Sequence, residues 1–183
     1  MRIRLCVVVL AGLAAGCRTA EPFDAARRDD VANAIIAQWP QASRIAAAGL
    51  LGKYGPPDAL AADALAWKDK YPWKRIVLWK EPDEGTADNL EETVAYEGPP
   101  EIIAGRIGFG GPVFVADGGA ALSARSSNEH INFLALNLAD EIVRGARTPE
   151  QARAFYDRTL DLSSAGKNSR YMQRLLFLDR SEP

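Results

Sequence analysis

The sequence predicts an α+β fold in which antiparallel β-hairpins pack as a sheet against several α-helices. Three stretches carry that prediction. Residues 126–156 read as two capped helices in succession. Residues 65–81 read as a hairpin around Asp69-Lys70-Tyr71-Pro72, and residues 112–125 as another around Asp117-Gly118.

At 183 residues the chain is long enough for one domain with a real hydrophobic core, placed over residues 30–183. Its 22 basic and 24 acidic side chains give a formal net charge of −2, no electrostatic footprint for nucleic acid. His130 is the lone histidine, so a multi-histidine metal site within one chain is impossible.

Residues 1–16, MRIRLCVVVLAGLAAG, read as a lipoprotein signal peptide. Arg2 and Arg4 form a positive start. Residues 5–15 are apolar but too few to span a bilayer comfortably, and the run ends in Leu13-Ala14-Ala15-Gly16-Cys17. That ending resembles the lipobox of bacterial lipoproteins, in which small residues precede a lipidated cysteine. Ala14 stands where leucine is usual, and Leu13 lies one position earlier. The resemblance implies that Cys17 carries a diacylglyceryl group on sulfur, that cleavage falls before it, and that its new amine takes a further acyl chain such as palmitate. Two or three chains anchor a protein firmly where one is marginal. Cys6 then leaves with the signal and Cys17 carries lipid, so no thiol remains for a disulfide even in an oxidising compartment. Loss of Arg2 and Arg4 takes the basic count from 22 to 20 against 24 acids, a net charge of about −4. Arg18 follows the lipid site. Retention in the inner membrane usually takes an aspartate there, so the resemblance implies the periplasmic side of the outer membrane in a Gram-negative cell.

Residues 17–29 read as a lipidated tether leading into a helix. Val31, Ile35 and Trp39 keep helical spacing up to Pro40. A second helix fits residues 42–54, with Ile45, Ala48, Gly49 and Gly52 as a small-residue face. Interior glycines cost helix stability, so close approach of a second backbone is expected there. Gly55-Pro56-Pro57 ends the helix.

In the first hairpin, Trp67 and Trp73 are expected opposite each other, with Trp73 and Trp79 on one face. Exposed, Trp67, Trp73 and Trp79 form an aromatic platform for cell-wall glycan or another small ligand. Buried, they pack against the helices. Solvent exposure separates the two readings. Residues 81–89 form an acidic, solvated loop without EF-hand spacing, and residues 90–96 predict another strand. Pro99-Pro100 and a short apolar turn follow. Gly108-Phe109-Gly110-Gly111 superficially resembles a phosphate loop. It lacks the Walker lysine, and Pro112 with a strand follows where a helix should begin, which rejects nucleotide binding. The Asp117-Gly118 turn needs positive φ at both residues.

Ser126 and Glu129 have the S-x-x-E spacing of a capping box, which predicts Ser126 as the cap of the central helix. Ile131, Leu134, Ala135, Leu138, Ala139 and Ile142 share its apolar face, and His130, Asn137, Glu141 and Arg144 the opposite one. Asn132 points to the apolar side and needs hydrogen-bond partners there, while Phe133 implies that the polar side is partly covered. Arg144-Gly145 ends the helix. Thr148, Pro149 and Gln151 supply a second capping box, and Ala152, Phe155, Tyr156 and Leu160 (or Thr159) the inner stripe of the next helix. Residues 163–170 then form a polar loop. Ser164-Ala165-Gly166-Lys167 spells S-x-x-K as in penicillin-binding enzymes, without their further motifs. Residues 175–178 return an apolar segment to the core. No cofactor motif emerges.

Three blocks together carry a family resemblance: KYGPPD at 53–58, PWKR at 72–75, and NFLALNLADEIV at 132–143 with the GARTPEQAR that follows. They resemble a family of uncharacterised bacterial lipoproteins and are spread between residues 53 and 153. A helix ending in Gly-Pro-Pro before a tryptophan-bearing hairpin, residues 44–80, is also similar to small outer-membrane assembly lipoproteins of the SmpA/OmlA type. The first functional expectation is a non-enzymatic envelope scaffold or protein-interaction module, held to a membrane through lipid on Cys17 and meeting envelope proteins. The second is the glycan or small-ligand module built on the tryptophans. A hydrolase ranks below both, its constellation being Ser126, Ser127, Glu129 and His130 near a helix N-terminus.

Overall fold

A computed structural model describes residues 22–97, 108 and 111–180. The signal segment, Cys17 and the start of the tether lie outside the described residues. So do Pro99-Pro100 with its apolar turn and the Phe109-Gly110 pair. The fold is α+β, as expected. Four helices, α1 (Pro22–Ile36), α2 (Gln41–Tyr54), α3 (Glu129–Val143) and α4 (Pro149–Ser164), accompany six strands. These are β1 (Ala59–Leu60), β2 (Ala64–Lys70), β3 (Trp73–Trp79), β4 (Leu90–Ala95), β5 (Val113–Ala116) and β6 (Ala121–Ser126). They form one antiparallel sheet in the order β1-β2-β3-β4-β6-β5.

The helix-facing side of the sheet follows the period of 2. Leu65 and Trp67 of β2, Ile76 and Leu78 of β3, Leu90 and Val94 of β4, and Leu122 and Ala124 of β6 all enter the core. The second hairpin forms, and Asp117 and Gly118 take the expected positive φ, 50° and 65°, but Ala116 pairs with Ala121, so the connection takes the four residues 117–120 where a two-residue turn was expected.

The first hairpin differs from expectation. Trp67 pairs with Ile76, and Trp73 with Lys70. Trp73 and Ile76 are both buried with the exposed Lys74 and Arg75 between them, so alternation breaks at the start of β3. Trp73 therefore stacks on Phe133 of α3, with ring centroids 5.1 Å apart. Trp79 adjoins the helix-facing Leu78 and points the other way, with the Arg125 guanidinium 5.4 Å from its ring centroid. Trp73 and Trp79 do not share a face, because the two-residue rule holds only through an unbroken strand.

Helix α3 is the centre of the fold. Every residue from 132 to 140 is buried. The sheet covers one side of it, and α4 and the C-terminal segment pack on others. Asn137, expected on the polar face, is 2% exposed. Its Nδ2 donates to the carbonyls of Tyr171 (3.0 Å) and Arg174 (2.8 Å), and its Oδ1 accepts from the Leu176 amide (2.7 Å). One amide side chain thus clamps a segment that has little regular structure, and Met172, Leu175 and Phe177 are buried beside it. Phe133 is covered, as its place on the polar side implies.

The cap of α3 is Asn128, whose Oδ1 accepts from the Ile131 amide at 3.1 Å. Ser126 ends β6 instead, and Glu129 is the first helical residue, too early to close a capping box. The Thr148–Gln151 box of α4 forms in full, with Pro149 in its first turn.

Helix α2 buries Ser43, Ala47 and Leu50, while Ile45 is 67% exposed. Space lies open where a Cβ would sit at Gly49 and Gly52, so no second backbone approaches them. Gly49→Ala is accordingly expected to raise stability by about 0.5–1 kcal/mol, by reducing the freedom of the unfolded chain and favouring helix. A lowered urea midpoint in that variant would show that Gly49 serves a contact.

Candidate functional site

The first turn of α3 separates two polar constellations. Successive helical residues leave the axis about 100° apart, so Glu129 and His130 point to different neighbours.

Glu129 meets α2 and β3. Its carboxylate accepts from Lys53 Nζ, from the Tyr54 hydroxyl and, at 2.9 Å, from Trp73 Nε1. Burial alone would raise its pKa, but those three donors outweigh burial and hold the carboxyl below the ordinary glutamate value. Burial, and then the same carboxylate, push the Tyr54 phenol well above its usual value.

Glu92 of β4 lies nearby with no solvent exposure. Its Oε2 accepts from Asn132 Nδ2 at 2.9 Å, while Oε1 has no hydrogen-bond partner among the described residues. Asn132 also donates to the Leu90 carbonyl (3.1 Å) and accepts from the Ser126 hydroxyl (2.6 Å), which meets the requirement its sequence position set. Burial and then the Glu129 charge drive the Glu92 pKa well above the ordinary value, against smaller opposing effects of Asn132 and Lys53. Burial and the neighbouring charge thus both favour the neutral acid at Glu92, while its donors favour the ionised form at Glu129.

His130 points instead towards α4 and the C-terminal segment. Its Nδ1 lies 2.8 Å from the Met172 carbonyl. A carbonyl only accepts, so Nδ1 carries the proton it donates, and Nε2 is left free to face the cavity. The ring borders a cavity of ≈ 500 Å³ between the start of α3, the end of α4 and residues 168–173.

The sequence-predicted constellations are only partly assembled. Ser126 is buried on Asn132, Glu129 is tied to α2 and β3, and His130 borders a cavity that neither of them lines. The expected Ser126–Ser127–Glu129–His130 grouping diverges, because Ser126 ends a strand with its hydroxyl on Asn132, Ser127 lies between strand and helix, and Glu129 and His130 leave the helix axis about 100° apart. The aromatic platform is likewise corrected. Trp67 has no exposure and Trp73 1%. Their indole N–H groups donate inwards, Trp67 to the Gly55 carbonyl (2.9 Å) and Trp73 to Glu129. Trp79 is half-buried under Arg125. The S-x-x-K serine, Ser164, sits in the last turn of α4 and donates to the Leu160 carbonyl, not at a helix start.

Sequence reasoning missed Glu92, Lys53 and Tyr54. One signal for Glu92 existed: with Leu90 and Val94 it occupies alternate positions of a strand, which puts its carboxyl on the apolar face. Among the described residues, no group of three or more His, Cys, Asp or Glu could hold a metal ion, and no helix is long and apolar enough to cross a membrane.

The fold and these two constellations define an α+β protein with a buried glutamic acid beside a partly buried glutamate, and a separate cavity lined by uncharged polar and apolar side chains. No protein-family model, curated protein or solved structure matches the chain.

Proposed function

We propose that this chain is a lipid-anchored envelope protein whose α+β body acts as a non-enzymatic scaffold or protein-interaction module. The observation that carries the reading is the run Leu13-Ala14-Ala15-Gly16-Cys17 behind a charged start and a short apolar stretch. The fold adds support. Helix α1 starts at Pro22, and the five steps from Cys17 span at most about 18 Å. Lipid on Cys17 would therefore hold the body beside the bilayer, facing the periplasm if the membrane is an outer one. Val31 on α1 and Ile45 on α2, 43% and 67% exposed, are apolar side chains on the two helices that follow the anchor.

Cys17→Ser is expected to give an unlipidated, uncleaved precursor, read by metabolic fatty-acid labelling and by gel mobility. Normal labelling of that variant would remove the assignment. The interaction role is tested by a photo-crosslinking residue at Ile45 in intact envelopes, followed by mass spectrometry. Adducts to one recurrent envelope protein support it; none at any level of crosslinking counts against it.

A further inference from the structure

We propose that the cavity beside His130 binds an uncharged small molecule rich in hydroxyl and amide groups, of the class of an N-acetylated amino sugar. The inference does not depend on the lipid anchor. A volume of ≈ 500 Å³ lies within the range of small-molecule sites, about 300–1,000 Å³. Hydrogen-bonding side chains from three parts of the fold converge on it: Asn128 and His130, Ser163 and Ser164, and Asn168, Ser169 and Gln173. No lysine, arginine, aspartate or glutamate lines it among the described residues. Asn128, His130, Ser164, Asn168 and Gln173 are exposed, so the cavity is open to solvent, and an ionic ligand would find no opposite charge in its lining. Hydroxyls and amides both donate and accept, which suits a ligand whose own groups do the same.

The site is also partly preorganised. Asn128 is held as the α3 cap, Ser164 by the Leu160 carbonyl, Ser169 by the Tyr171 amide and the His130 ring by the Met172 carbonyl. By contrast, His130 Nε2, the Ser163 hydroxyl and the Asn168 and Gln173 amides have no hydrogen-bond partner among the described residues. The groups that hold their positions thus stand beside groups with open hydrogen-bonding capacity. Ile131, Leu160 and Met172 supply the apolar part of the lining. That surface can take an acetyl methyl or the C–H face of a sugar ring, while the amides meet the acetamido group.

The lone histidine makes the test specific, since its ring signals report this cavity and no other. Full-length protein in detergent micelles, with the histidine ring isotope-labelled, would be titrated with N-acetylglucosamine and followed by NMR. A saturable shift of the His130 ring signals is expected, with a Kd on the order of 1 mM for one sugar. Saturation transfer should be strongest at the acetyl methyl. Ser164→Phe, which fills the cavity from an exposed position, is expected to weaken binding about tenfold or more. Gln173→Ala tests the same point should Ser164→Phe disturb the unfolding midpoint. No saturable shift, or shifts unchanged in folded Ser164→Phe or Gln173→Ala, would overturn the proposal. So would inorganic phosphate binding in preference to the sugar, which would mark an anion site.

Discussion

Trp73→Ala is expected to lower the free energy of unfolding by about 3–5 kcal/mol, the range for truncating a large buried aromatic. The ring is 1% exposed and stacks on Phe133 at the centre of the core. Its removal leaves a cavity between β3 and α3. It also takes one of three donors from Glu129, a carboxylate that burial would otherwise disfavour. Trp73→Phe separates the two contributions. It keeps a six-membered ring against Phe133 but removes the indole N–H together with part of the buried ring; loss of a hydrogen bond to a charged group costs about 1.5–3 kcal/mol, and the smaller ring adds a cavity cost below that of alanine. Urea denaturation of the three proteins measures both differences. A Trp73→Ala midpoint equal to that of the wild type would show that this contact is not part of the core.

Glu92→Gln is expected to make the protein more stable at neutral pH and to flatten its pH dependence. The folded carboxyl has a raised pKa, from burial first and then from Glu129. Above the ordinary glutamate value the unfolded chain therefore releases this proton while the folded chain retains it. The stability that the neutral acid contributes is complete below the unfolded value. It declines by up to about 1.4 kcal/mol per pH unit until the folded group itself ionises. Glutamine has the shape of the neutral acid and no proton to lose, so the decline disappears. The groups that bear on Glu92 are Glu129 from α3 and Lys53 and Tyr54 from α2. Glu129 acts in the opposite sense. Its pKa is depressed, so its contribution is present above the ordinary value and is lost as pH falls through the folded one. Urea unfolding of both proteins from about pH 4 to about pH 8 should give curves that are closest in acid and separate towards neutrality, with the variant above. Parallel curves would mean that Glu92 is not held neutral.

Much of the architecture was legible in the order of residues. The cap of α4 needs only Thr148, Pro149 and Gln151, which lie within one turn. The place of the second hairpin is marked by Asp117-Gly118 between two apolar runs, although the connection runs over residues 117–120. Asn132 was readable as a buried amide in want of partners, and Phe133 as a sign that α3 is covered on more than one side. The faces of α1 and α2 were harder. Their apolar residues are small and widely spread, and periodicity chose Ile45 and Gly49 where packing buries Ala47 and Leu50. The functional constellations were harder still. Glu129 looked like part of a cap, since Ser126 stands at the right spacing. The strand, however, runs on to Ser126, which moves the cap to Asn128 and the helix start to Glu129.

What the sequence by itself determined is therefore local: which stretches are helix or strand, and where the turns fall. What only the tertiary structure decided is the company each polar group keeps. Glu129 takes its donors from residues 56, 75 and 76 positions away, and Glu92 meets Asn132 from 40 away. Capping and turn formation act over three or four residues and leave their mark in spacing. A buried carboxyl answers to whatever the sheet and helices bring within a few ångströms of it, and that meeting exists only once the chain has closed.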